Sequence, residues 1–146
     1  MVMTRLVAIW GFSVAMMSTF AVASALHRKV FECAVSQTMN FNISIEQGKS
    51  ELIFNKSIAN QSPVLQRIKP QDYRVEHYHR ALVDEKSLEF SIGERVILVS
   101  EYFSEEFDEV GKILSVTLRE PEQTQYFECE EGSMSHLALL FQEITE

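Results

Sequence analysis

The sequence predicts an all-β fold, a small antiparallel barrel or sandwich of about eight strands whose last segment is either a further strand or one short C-terminal helix. Three observations support this class. The chain has 46% hydrophobic and 23% charged residues, which is an ordinary globular composition. Short segments of alternating apolar and polar residues recur along it, and no long amphipathic helical pattern interrupts them.

Residues 1–25 have the three parts of a secretory signal peptide. Arg5 is the only fixed charge at the start, residues 6–25 are uncharged, and Ala23-Ser24-Ala25 is a small-x-small cleavage site. We expect cleavage after Ala25, which would leave a single β-rich domain of residues 26–146 in the periplasm or outside the cell, with no stable membrane insertion. A retained anchor is the alternative, because about 20 apolar residues also suffice to cross a bilayer.

The clearest strand signals lie in two places. Residues 39–46 alternate without a fault, Gly48 supplies a turn, and residues 51–54 resume the pattern, which predicts a hairpin over 39–54. Residues 88–92 alternate again, and Gly93-Glu94 then leads into residues 95–103. That last segment is apolar on both faces, which indicates a central strand.

Further strands are predicted with a weaker pattern, and the end of the chain is ambiguous. Residues 112–119 alternate and end before Pro121. In the last segment, residues 133–145, Leu137, Leu140 and Phe141 fit helical spacing, but the all-β context favours a strand. The remaining strand candidates are residues 30–35, 64–69, 73–83 and 125–130.

The two cysteines, Cys33 and Cys129, predict one disulfide. An exported protein matures where thiols oxidise, and no C-x-x-C spacing favours a metal or redox pair. Closing a loop of about 100 residues stabilises a fold by roughly 4.7 kcal/mol on the chain-entropy account. The tripeptide Phe-Glu-Cys ends at both cysteines, which suggests terminal strands that meet in space.

Acidic residues are concentrated in the second half of the domain. Residues 26–83 carry 8 basic and 5 acidic side chains, whereas residues 84–146 carry 4 basic and 16 acidic ones. This balance disfavours a nucleic-acid partner, which requires a basic face. The densest run is Glu105, Glu106, Phe107, Asp108 and Glu109, which is either a solvated loop or the site for a cationic protein partner. We expect Phe107 to tuck back onto the rim of the fold, and a role as an anchor is the alternative.

His77 and His79 are the candidate metal ligands. Two residues apart on a strand, they point to the same face, where two imidazoles can bind one Zn²⁺ or Cu²⁺ if a third ligand is present. His136, His27 or a carboxylate would have to supply it. Because apolar residues share their face, we expect the histidines to line a cavity or a bulge to shift the register.

No catalytic motif is visible, so the sequence predicts neither an enzyme nor a bound cofactor. It has no G-x-S-x-G elbow, no P-loop and no G-x-G-x-x-G fingerprint. The expected function is an exported, non-catalytic binding or inhibitor-type protein. Two alternatives remain: a small-ligand or metal carrier with His77 and His79 inside a barrel, and an envelope assembly or stress protein whose open sheet edge pairs with another chain.

Overall fold

A computed structural model describes residues 27–46 and 50–143, with the side chains of Gln142 and Glu143 excepted. The predicted signal peptide and the turn around Gly48 lie outside the described residues. Within the described part, no helix is long and apolar enough to cross a membrane.

Two antiparallel sheets of five strands each face one another as an open sandwich rather than a closed barrel. In sheet A the spatial order is β10-β1-β2-β3-β4, and in sheet B it is β5-β6-β7-β8-β9. The strands of sheet A are β1 (His27–Ser36), β2 (Met39–Glu46), β3 (Leu52–Ile58), β4 (Val64–Ile68) and β10 (Met134–Ser135). Those of sheet B are β5 (Tyr73–Arg80), β6 (Val83–Ile92), β7 (Arg95–Ser104), β8 (Gly111–Arg119) and β9 (Thr124–Glu128).

The hydrophobic core lies between the two sheets and follows the alternation of the strands. Phe41 and Phe54 of sheet A are buried, and Phe54 meets Phe90 of sheet B with ring centroids 5.3 Å apart. Phe41 likewise meets Phe127 of β9 at 5.7 Å. In β2, β6 and β8, most of the apolar residues predicted to share one face are therefore buried between the sheets.

A bulge in β1 allows two consecutive residues to enter the core. The register passes from Lys29 opposite Ser44 to Phe31 opposite Ile43, so Val30 has no partner on β2. Val30 and Phe31 are both fully buried as a result. The Val30 carbonyl instead accepts a hydrogen bond from the His136 backbone, which helps to fix the C-terminal segment on β1.

The chain passes from sheet B to sheet A at the second cysteine. The Cys129 backbone N–H donates to Leu114 of sheet B at 2.8 Å, and the next N–H, of Glu130, donates to Ala34 of sheet A at 2.7 Å. Cys129 is bonded to Cys33 there, with the two Cα atoms 5.0 Å apart. The predicted disulfide and the predicted meeting of the two Phe-Glu-Cys segments are confirmed, and the bond joins the two sheets.

The all-β prediction is confirmed, and three of its details change. The described residues form ten strands, not about eight. The predicted strand over 73–83 is two strands, β5 and β6, joined by Ala81 and Leu82. The strand preferred for residues 133–145 is wrong for most of its length, because only Met134–Ser135 is a strand and Ala138–Glu143 forms the helix α1. Burial of Leu137 and Leu140 against the core explains this choice.

Candidate functional site

The predicted metal ligands and the predicted partner-binding residues lie at one end of sheet B, where two of its connections lie side by side. One is the short turn Ala81-Leu82 between β5 and β6, and the other is the segment of residues 105–110 between β7 and β8, called the acidic loop below. The Glu105 backbone N–H donates to the Leu82 carbonyl at 2.9 Å, which ties the two connections together.

The acidic loop contains a residue in an unusual backbone conformation. Glu106–Asp108 form a short 3-10 turn in which the Glu109 N–H donates to the Glu106 carbonyl at 3.3 Å. Within the turn Phe107 has φ 61° and ψ 32°, and Asp108 has φ 59°. This left-handed region suits glycine, and a bulky side chain such as phenylalanine rarely occupies it.

Phe107 points into solvent, contrary to the expectation that it tucks back onto the fold. Its side chain is 92% exposed, and Val110 in the same loop is 75% exposed. Leu82, in the neighbouring turn, is also exposed. These three side chains, Leu82, Phe107 and Val110, form what we call the apolar tip, at the end of a molecule whose other large apolar residues are mostly buried.

The apolar tip is surrounded by acidic groups that are mostly unpaired. Arg80 donates to the Glu106 carboxylate at 2.7 Å, and the Glu106 N–H donates to the Ser104 hydroxyl at 3.2 Å. Among the described residues, Glu105, Asp108 and Glu109 have no ion-pair partner. The base of the loop is therefore held in place, while three negative charges remain available around Phe107.

His77 and His79 lie on the inner face of sheet B, beyond the part that sheet A covers. That face continues from buried Val99 and Leu88 to Glu101, Lys86 and Asp84 without a change of register. In the pairing of β5 with β6, His77 lies opposite Lys86 and His79 lies opposite Asp84. The strands of sheet B extend past the end of the core, and polar residues replace apolar ones on the same face there. The expected bulge is absent, because the pairing of β5 with β6 is continuous.

Both histidines contact one oxygen of Asp84. His77 Nε2 lies 2.5 Å and His79 Nδ1 lies 3.2 Å from Asp84 Oδ1. Lys86 Nζ donates to the other oxygen, Oδ2. Lys86, followed by His77, holds the pKa of the Asp84 carboxyl well below its usual range, because each stabilises the carboxylate by hydrogen bonding. The carboxylate is therefore ionised and oriented at neutral pH.

Asp84 supplies the third candidate ligand, which the sequence does not identify. The hairpin turn between β5 and β6 determines its position opposite His79. Neither His27 nor His136 belongs to this cluster, which within the described residues consists of His77, His79 and Asp84. The sequence hides this partner because Ala81-Leu82 lacks the glycine, proline or asparagine that usually marks a hairpin turn. Once the turn is placed there, the register brings His79 opposite Asp84.

The expectation that the histidines line an internal cavity is wrong, because 41% of the His77 side chain and 70% of the His79 side chain are exposed. A cavity of about 120 Å³ does lie between the sheets, but at the other end of the molecule, against Phe54, Ile97 and Leu118. Lys56 and Arg95 also line it, and burial together with the Arg95 charge lowers the pKa of Lys56. None of the site residues predicted from the sequence reaches this cavity.

Four strands have a free side. In the described part of the chain, β4 and β10 pair on one side only in sheet A, as do β5 and β9 in sheet B. On β4, Val64 and Leu65 are exposed. The edge-pairing alternative therefore has strands available to it, although nothing in their geometry favours a particular partner.

The fold and the site together define a disulfide-linked β-sandwich with an acidic, apolar-tipped loop beside a two-histidine, one-aspartate cluster. When the chain is compared with models of known protein families, with characterised proteins and with solved structures, none of them matches.

Proposed function

We propose that this chain is an exported, non-catalytic binding protein of inhibitor type whose acidic loop enters an apolar cleft with a basic rim on a cationic protein. The observation that carries the proposal is the exposed phenylalanine of the loop. Phe107 is held in a left-handed conformation with its ring almost wholly in solvent.

In the free chain this arrangement is unfavourable in two ways. A left-handed conformation costs an L-residue roughly 1–2 kcal/mol, and the exposed ring leaves apolar surface in water. A glycine would allow the same turn without either cost. Residues that keep such a conformation cluster at binding sites, where the side chain gains its contacts from another molecule.

The loop is also ordered before any partner arrives. The Arg80–Glu106 ion pair, the bond from Glu105 to Leu82 and the bond from Glu106 to Ser104 hold its base. Binding by a preorganised loop loses less conformational entropy than binding by a flexible one. Phe107 is therefore suited to act as an anchor, and Leu82 and Val110 add exposed apolar surface to the same end of the sheet.

Charge supports a basic partner. The loop carries Glu105, Asp108 and Glu109 without ion-pair partners among the described residues, within a chain half that has 16 acidic and 4 basic side chains. A field of one sign speeds the encounter with a protein of opposite charge and excludes partners of like charge. The disulfide supports export, since such bonds persist in oxidising compartments.

Binding to a panel of pure basic proteins tests the proposal. Lysozyme and ribonuclease A offer open clefts, and cytochrome c is a basic protein without one. We expect at least one cleft protein to bind, with affinity that falls about tenfold between 50 and 300 mM salt because the surface charges are screened. Phe107→Ala should weaken that binding about 30-fold, the loss typical of an interface hot spot.

Two matched controls separate the loop from general surface effects. Leu65→Ala removes an exposed apolar side chain on the distant strand β4 and should leave binding unchanged. Glu122→Gln, in the turn at the opposite end of sheet B, should matter less than Glu109→Gln, which removes the same charge inside the loop. Absence of binding to every panel member, or equal affinity for Phe107→Ala and the unaltered chain, would contradict the proposal.

A further inference from the structure

A second site, independent of the apolar tip, lies on the inner face of sheet B. We infer that His77, His79 and Asp84 bind a divalent transition-metal ion, Zn²⁺ being the best match, with three protein ligands and an open fourth position. The inference goes beyond the proposed protein binding, because it uses other residues and another kind of ligand.

The three donor atoms are close enough for one ion. One donor atom from each of His77, His79 and Asp84 lies within 4.8 Å of the other two. Asp84 Oδ1 is 2.5 Å from His77 Nε2 and 3.2 Å from His79 Nδ1. Bonds of about 2.0–2.1 Å in a tetrahedral site require ligand atoms about 3.3 Å apart. The separation of 3.2 Å from His79 is close to this value and the separation of 2.5 Å from His77 is shorter, so modest side-chain rotations would complete the geometry.

The donor atoms are of the types that Zn²⁺ prefers, and the residues that carry them lie on paired strands of sheet B. Two imidazole nitrogens and one carboxylate oxygen are a common ligand set for Zn²⁺, and three protein ligands leave a position for water or another molecule. All three residues lie on the paired strands β5 and β6, whose register fixes their spacing. The more exposed histidine, His79, leaves the fourth position open to solvent.

The groups around the cluster orient its ligands. Lys86 holds the outer oxygen of Asp84, which directs the other oxygen towards the histidines. The Phe141 ring of α1 lies 5.5 Å from the His77 ring and limits its movement. Such outer contacts normally fix the orientation of metal ligands. The positive charge of Lys86 opposes a cation, but Glu101, with an oxygen 4.0 Å from Lys86 Nζ, offsets it.

The test is a titration of the metal-free, oxidised chain with Zn²⁺ at neutral pH, followed by calorimetry, and with Co²⁺, followed by visible absorption. We expect one ion per chain, the absorption bands of four-coordinate Co²⁺, and displacement of Co²⁺ by Zn²⁺. His77→Ala, His79→Ala and Asp84→Asn should each weaken binding at least tenfold, as loss of a ligand or its support normally does.

Other histidines provide the matched controls. His27→Ala and His136→Ala remove exposed imidazoles outside the cluster and should bind Zn²⁺ with unchanged affinity. Phe107→Ala should also bind Zn²⁺ normally, so failure of the protein-binding proposal and failure of this one are distinguishable. The inference is overturned by the absence of saturable uptake of one ion, or by equal losses in the cluster and control variants. A Tm that Zn²⁺ raises in the unaltered chain but not in Asp84→Asn would support it independently of the spectra.

Discussion

Phe107 is the residue at which local conformation and exposure conflict most clearly. Its φ of 61° places an L side chain in a region that disfavours it, and its ring has almost no contact with the rest of the fold. The free protein therefore gains little stability from the side chain. The conformation is maintained by the hydrogen bonds of the neighbouring residues, Glu105, Glu106 and Glu109.

This conflict predicts an uncommon order of stabilities. Phe107→Gly should be more stable than Phe107→Ala by about 1 kcal/mol, because both lose the ring and only alanine keeps the left-handed penalty. Urea unfolding of the two variants and the unaltered chain measures the difference. If Phe107→Ala is instead the more stable, the loop does not hold the left-handed conformation in solution.

The same residue shows a limit of sequence reasoning. The acidic run around Phe107 was visible as a candidate partner site, but neither composition nor spacing gives a φ value or says whether a ring is covered. The role of Asp84 is not predictable for a related reason. Its contact with His77 and His79 depends on a register set by a turn that has no glycine or proline to reveal it.

Among the elements, the strands with clean alternation were the predictable ones. Residues 39–46 correspond to β2 with the same bounds, and the segment that is apolar on both faces is β7, the central strand of sheet B. Period-two patterns are decisive there because one wrong register would expose a whole face. The final segment is different, since its short run of leucines satisfies both a strand and a helix pattern.

The helix α1 depends on packing rather than on its own propensity. Six residues are too few for a stable isolated helix, whereas Leu140 is only 2% exposed and belongs to the core. Leu140→Ala should therefore lower the free energy of unfolding by about 2–4 kcal/mol, the range for a buried leucine that leaves a cavity. Chemical denaturation measures this loss.

A surface leucine is the comparison for that substitution. Leu65→Ala, on the edge strand β4, should change stability by less than about 0.5 kcal/mol, because its side chain is exposed in the folded chain. Similar losses at the two positions would show that α1 does not pack on the core as described.

At the scale of the whole molecule, the sequence predicts strands with one buried face but does not distinguish an open sandwich from a closed barrel. A sandwich and a barrel have the same alternation along each strand, and they differ in whether the outer strands pair. That pairing joins residues distant in the chain, for which no local pattern exists. The disulfide was the one long-range contact that could be predicted, because only two cysteines are present.

The disulfide should contribute a large part of the total stability. It joins positions 96 apart and links sheet A to sheet B. Reduction should lower the free energy of unfolding by about 4–5 kcal/mol, mainly because the unfolded chain regains the freedom that the closed loop removes. Urea unfolding of the same chain with and without dithiothreitol measures it, and coincident transitions would contradict the expectation.

The position of Cys129 also determines the order in which the structure can be built. A chain that emerges with its N-terminus first exposes Cys33 early, but its partner follows only after nine of the ten described strands have appeared. Until then Cys33 is a thiol without its partner. The Cys33 thiol is therefore open to wrong partners during most of synthesis, and a chain without the last 18 residues, from Cys129 onwards, would lack the bond altogether.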